Sequence, residues 1–216
     1  MASQWRSMAT MAECASMRDV IVAYLRERVR VRVLVPLALL LALTGWLLAP
    51  AGGLDSRAFL VATAQAFLLS LAFRVWDDLE DRNADRLRRP HRVMARSTRT
   101  APFLVLVALL AVGGMTSLLQ LSDPLPRFIA LAAAIAILSV WYATRRLENW
   151  NRLAGEHIVS LKYPLIAFVV APTLPAATGV ARTVAVLAAL YTLICIYEYV
   201  DDPELRHAFS SWRSLP

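Results

Sequence analysis

The side chains with the most chemistry in them stand in two acidic runs. In the first, RVWDDLEDRNADRLRRPHR, Asp77, Asp78, Asp81 and Asp85 fall within about 100° of one another on a continued helix, at 100° per residue, and Glu80 points elsewhere. Four carboxylates on one stripe repel one another unless something positive binds among them. Hard oxygen ligands of this kind suit Mg2+, commonly held by one or two carboxylates together with substrate phosphates. Arg82, Arg86 and Arg89 line the neighbouring face, and Pro90 then stops the helix. Metal and guanidinium side by side are what a diphosphate requires, because each of its oxygens needs a cation or a donor. The second run, CIYEYVDDPELRH, places Glu198, Asp201 and Asp202 on one face at i, i+3 and i+4, with Pro203 just beyond. One charged run past an apolar helix is usually a solvated end. Two at the corresponding depth of two helices argue for convergence on a pair of magnesium ions. Arg74, one turn before Asp78, is placed to pair with it, to hold a phosphate or to snorkel to a membrane surface.

The elements that must position these groups are read from the apolar stretches. Of 216 residues, 58% are hydrophobic and 18% charged, with formal net charge +7 and mean hydropathy +0.53. A soluble domain is less apolar and more charged than this. A spanning helix needs about 17 to 25 mostly apolar residues. Six stretches come close: Val33 to Ala49, Ala58 to Trp76, Ala101 to Leu121, Phe128 to Thr144, His157 to Ala176 and Thr183 to Tyr197. Prolines 164, 172 and 175 predict a kinked fifth helix with an early stop. The expected fold is therefore all-α, a polytopic transmembrane bundle of about six spans. The N-terminal arm, Arg74 to Arg99, Arg145 to Lys162 and the C-terminal tail hold 20 of the 23 Lys and Arg, leaving Arg57, Arg127 and Arg182 for the other loops. That one-sidedness predicts both termini and all the basic loops in the cytoplasm. It also explains a pI of about 10.1 by topology, so nucleic acid is not an expected partner.

Residues 1–32 form a basic arm, with RDVIVAYLRERVRVR from Arg18 to Arg32 patterned as an interfacial amphipathic helix that meets membrane lipids; residues 33–216 form the bundle. The loop WYATRRLENWNRLAGEHIVSLKYP adds Arg145, Arg146, Arg152 and Lys162, the only lysine, to the same side as the first acidic run. Their bland role is to set topology. Cys14 and Cys195 are expected to be reduced. His157 has no His or Cys at ligand spacing, which argues against zinc. No GxSxG, Walker A or GxGxxG string occurs.

With these residues in view, the chain resembles the UbiA-type intramembrane prenyltransferases. Their NDxxDxxxD motif, followed by a basic stretch and Arg-Pro, is similar to WDDLEDRNADRLRRP; Asp77 stands at the Asn position, and Asp78, Asp81 and Asp85 at the three Asp positions. Tyr142, Arg145 and Arg146 resemble a YxxxKR element, and Glu198 to Asp202 resembles the second motif, DxxxD, with Glu for its first Asp. The resemblance implies that Asp77, Asp78, Asp81, Asp85, Glu198, Asp201 and Asp202 hold Mg2+, with Asp78 and Asp81 at the centre of catalysis. Arg82, Arg89, Arg145, Arg146 and Lys162 would hold the diphosphate. The implied partners are a prenyl diphosphate and a lipophilic, often aromatic, acceptor. Metal and arginine would stabilise charge on the leaving diphosphate, and a dry cavity would keep water from quenching the allylic cation.

The chain ends just after its second motif, where that family continues through further helices. A piece of a longer protein, a compact variant and a protomer completed by another copy are the three expectations. Two other functions stay open beside prenyl transfer. One is terpene cyclisation, in which the substrate's own double bonds capture the cation. The other is a non-catalytic membrane scaffold or subunit whose charged loops dock a partner. A CDP-alcohol phosphotransferase is disfavoured, because its signature needs glycines that Asp78 to Asp85 lacks.

Overall fold

In a computed structural model of the chain, residues 16–49, 55–145, 152–174 and 179–201 are described. Every regular element among them is a helix. In order these are α1 (Met17–Arg28), α2 (Val31–Leu48), α3 (Ser56–Glu80), α4 (Arg82–Arg88), α5 (Val93–Arg96), α6 (Ala101–Leu118), α7 (Pro124–Arg145), α8 (Arg152–Ser160), α9 (Lys162–Val169) and α10 (Val180–Asp201). Five of them, α2, α3, α6, α7 and α10, are long and apolar enough to cross a membrane. Their burial says which medium they belong in. Only 11% of the apolar window of α10 and 22% of that of α6 is buried, and Leu104, Leu109, Val112, Val184 and Ile196 stand exposed. Helices that are apolar all round yet this bare belong in lipid, so the chain is a multi-pass membrane protein.

The chain forms two compact units. One takes the chain up to Pro36 together with Phe67–Gly114; the other takes Leu37–Ala66 together with the chain from Met115. The core of the first is built from Tyr24, Leu34, Leu71, Val75, Met94 and Phe103, with the Tyr24 and Phe103 rings edge to face at 5.3 Å. Of the stretch expected as one helix from Arg18 to Arg32, α1 covers the part up to Arg28, and Val31 and Arg32 already belong to α2. Ser16 and Asp19 close a reciprocal capping box at the start of α1, and Arg26 and Arg28 stand in its last turn, where the helix dipole favours cations.

In the second unit, the expected fifth span is two short helices, α8 and α9, with a break at Leu161. Pro164 is one cause, since it has no N–H for the Ser160 carbonyl and its ring crowds that carbonyl. Pro172 follows the end of α9, as the early stop required. Gly155 in α8 lies against the Trp141 ring near the end of α7, while Arg127 near the start of α7 donates to Val169 and Ala171 at the end of α9. The pair therefore runs antiparallel to α7. Arg127 is fully buried, and its Nη1 lies 2.5 and 2.6 Å from those two carbonyls, so a guanidinium closes the C-terminal end of α9.

Candidate functional site

The first acidic run lies where α3 ends. Glu80 closes α3, Asp81 takes a helical φ/ψ of −80° and −7°, and α4 starts at Arg82. Hydrogen bonds from Asp81 N to Asp77 O (2.9 Å) and Asp85 N to Asp81 O (2.8 Å) carry the helical path through this turn. The four carboxylates nevertheless meet different surroundings. Asp78 is buried, while Asp77, Asp81 and Asp85 are half-buried.

Asp78 is held by α1. Arg28 places Nε 2.9 Å from Oδ2 and Nη2 2.5 Å from Oδ1, and the Tyr24 hydroxyl donates to Oδ2 at 2.8 Å. Arg74 adds a third, looser approach, its Nε 3.9 Å from Oδ2. Burial, then the Asp78 charge and hydrogen bond, push the Tyr24 phenol well above its ordinary pKa, so it stays a donor. Burial opposes the Arg28 charge, but the hydrogen bond and charge of Asp78 outweigh it, and its pKa lies above the usual arginine value. Neither Arg28 nor Tyr24 belongs to the site read from the motifs. Their signal was there: a tyrosine and an arginine one turn apart on the basic amphipathic helix.

The neighbouring arginines hold the segment after α4. Arg92 pairs with Asp85 at 2.5 Å. Arg82 donates to the carbonyls of Met94 and Ser97, and Arg86 to that of Ala95 at 3.2 Å. Burial, then the nearby Arg86 charge, lower the Arg82 pKa. Arg89 is half-buried beside Pro90. Between Arg74 and Arg99 the sequence holds eight arginines and five carboxylates, so this segment carries net positive charge.

The other site residues lie in the second unit. Glu198 is half-buried and Asp201 exposed at the end of α10, and Lys162 is buried at the start of α9 with Nζ 5.2 Å from the centre of the Tyr163 ring. Arg145 ends α7. Arg146 and Asp202 lie outside the described residues, as does the side chain of Arg145. Among the described residues, no three or more His, Cys, Asp or Glu side chains come together as a metal site. The described arrangement thus does not fit a carboxylate cage for Mg2+, because both oxygens of its most buried carboxylate are taken by a guanidinium fork. His157 does acquire a neighbour that its sequence spacing did not show. Its Nδ1 lies 3.6 Å from Cys195 Sγ and 3.0 Å from the Tyr191 hydroxyl.

No family model matches the chain, and neither a curated protein nor a solved structure does.

Proposed function

We propose that this membrane protein is a UbiA-like enzyme that takes a prenyl diphosphate and transfers its prenyl group to a lipophilic acceptor within the membrane. The observation that carries the reading is the polar end of α3. There Asp78 and Asp85 are paired to arginines, and arginines outnumber carboxylates at the end of a helix apolar enough to span lipid. Net positive charge at the end of an apolar helix favours an anion there, and a diphosphate offers more charge and more acceptor oxygens than a single carboxylate. The motif from Asp77 to Pro90 supports the same substrate class. In the proposed reaction the allylic C–O bond breaks, the diphosphate leaves with the electron pair, and the acceptor captures the cation and loses a proton. The arginines hold the leaving group, and the apolar helices keep water away. On this reading both termini and the basic loops lie in the cytoplasm, as the one-sided arginines favour. Mg2+ and its proposed carboxylates belong to this reading through the motif alone.

A second reading is favoured by one specific feature. Asp78, Arg82 and Arg86 all engage α1 or the backbone around α5, which is what a non-catalytic scaffold would need of them. Titration of the protein in lipid nanodiscs with a non-hydrolysable prenyl thiodiphosphate separates the two. Binding that needs Mg2+ and weakens in Asp81→Ala supports the enzyme; absence of binding to wild type overturns it. Release of diphosphate from an allylic prenyl diphosphate supplied alone, with a hydrocarbon or alcohol product, would reassign the chemistry to cyclisation.

A further inference from the structure

A cluster of reactive groups lies apart from the acidic runs, where α8 and α10 pack together in the second unit. His157 of α8 meets Tyr191 and Cys195, which stand one turn apart on α10, so that an imidazole, a phenol and a thiol share one place. His157 Nδ1 lies 3.6 Å from Cys195 Sγ and 3.0 Å from the Tyr191 hydroxyl. That hydroxyl is also 3.4 Å from the His157 carbonyl oxygen, to which it can donate. With the ring proton on Nε2, Nδ1 is then left to accept from the thiol. A thiol beside an imidazole is the elementary form of an activated sulfur nucleophile, because the base takes the proton as the sulfur attacks.

The setting of the pair decides which electrophile suits it. Cys195 stands six residues before Asp201, the last residue of α10, which is about 9 Å at 1.5 Å per residue. That depth is the boundary between headgroups and acyl chains. Cys195 is half-buried and His157 exposed, and Leu193, Ile196 and Val200 beside the thiol are exposed on a helix that belongs in lipid. A long-chain acyl thioester in a bilayer keeps its chain among the lipid tails and its polar carrier in water, so its carbonyl carbon sits at the same boundary. A cysteine at such a depth is where S-acylation falls. We propose that Cys195 is an S-acylation site, with a long-chain acyl thioester as donor and His157 as the base. The Cys195 sulfur adds to the thioester carbonyl while its proton passes to His157. The carrier sulfur leaves with the electron pair of the broken C–S bond and takes that proton. One thioester is exchanged for another, so the step needs no oxidant or reductant. The acyl chain then lies along α10 in lipid. None of the three residues belongs to the diphosphate site, and the two proposals are independent.

Incubation of the full chain in nanodiscs with an alkyne analogue of palmitoyl-CoA tests this. Label that hydroxylamine releases, as it does thioesters, is expected in wild type and in Cys14→Ser and is expected to vanish in Cys195→Ser. His157→Ala is expected to slow labelling by at least about tenfold, with partial recovery on adding imidazole, which a change of packing alone would not give. Should His157→Ala fail to fold, His157→Gln keeps a polar side chain that cannot take the proton and is expected to be as slow. Label that persists in Cys195→Ser, a wild-type rate in His157→Gln, or no label in wild type would each overturn the proposal. The diphosphate reading survives all three, because binding of the prenyl thiodiphosphate is measured separately.

Discussion

Asp78 is the residue on which the site and the fold meet. From the sequence it is one of four equivalent carboxylates on a stripe; in the structure it is the one that is buried, bonded through both oxygens to α1. Helical spacing made the stripe legible, but not the partner, because Tyr24 and Arg28 reach it from about fifty residues away and no local pattern encodes that. The two positions should behave differently when truncated. Asp78→Ala leaves the largely buried Arg28 without its counter-charge and is expected to cost about 3–5 kcal/mol of unfolding free energy, whereas the half-buried Asp81→Ala costs about 1 kcal/mol or less. Thermal unfolding in detergent, followed by loss of helical circular dichroism, checks this; equal losses for both would remove the distinction drawn between them. Tyr24→Phe deletes one hydrogen bond to a charged acceptor and is expected to cost about 1.5–3 kcal/mol. The tyrosine also carries a pH signature. Its folded pKa lies above the unfolded value of about 10, so its contribution is complete below pH 10 and declines above it, where the unfolded chain gives up a proton that the folded one keeps. The wild-type protein should therefore lose its advantage over Tyr24→Phe as pH rises past 10. A constant difference from pH 8 to 11 would contradict the assignment.

At the scale of elements, five of the six expected spans correspond to long helices, with boundaries moved by a few residues, since a continuous apolar stretch is the strongest pattern a chain carries. The fifth expected span differs, and prolines show why: Pro164 contributes to the break at Leu161, and Pro172 follows the early stop of α9. Two helices of nine and eight residues can replace one long one only if their ends are satisfied, and Arg127 does this for α9. From sequence Arg127 was one of three stray basic residues outside the basic loops; its role is visible only once α7 and α9 are side by side. α2 meets α9 just as tightly. A Cβ on Gly45 would stand 2.7 Å from the Ala167 carbonyl oxygen and 3.1 Å from Ala171 Cα, both backbone atoms with little freedom to retreat. Gly45→Ala is accordingly expected to destabilise by about 1–3 kcal/mol, against its helix propensity. Gly113 in α6 has nothing within 4 Å of the same added atom, so Gly113→Ala should stabilise by about 0.5–1 kcal/mol. Opposite shifts in melting temperature for two Gly→Ala changes in apolar helices test the packing itself, because composition alone predicts the same sign for both.

For the whole molecule, the question is how many times the chain crosses the bilayer. Five long helices alone would leave the termini on opposite sides, which conflicts with arginines gathered at every second loop. On the proposed six-span reading, the α8–α9 pair would supply the missing crossing. It starts beside Trp141 and ends beside Arg127, fourteen residues apart along α7, or about 21 Å at 1.5 Å per residue, which is most of a hydrocarbon core of about 30 Å. The loop after α9 then lies with the start of α7, in keeping with the Ser122 hydroxyl 3.4 Å from the Pro172 carbonyl, and Arg182 at the start of α10 donates to Leu47 at the end of α2. In a cysteine-free background, Thr98→Cys, Ser122→Cys and Thr173→Cys can be labelled on intact cells with a membrane-impermeant maleimide. Ser122 and Thr173 should label from outside and Thr98 only after permeabilisation. If Thr173 follows Thr98 instead, α8 and α9 dip into the membrane and return to the side they came from. The end of α10 would then emerge on the side opposite to the end of α3, against the expectation that both acidic runs are cytoplasmic.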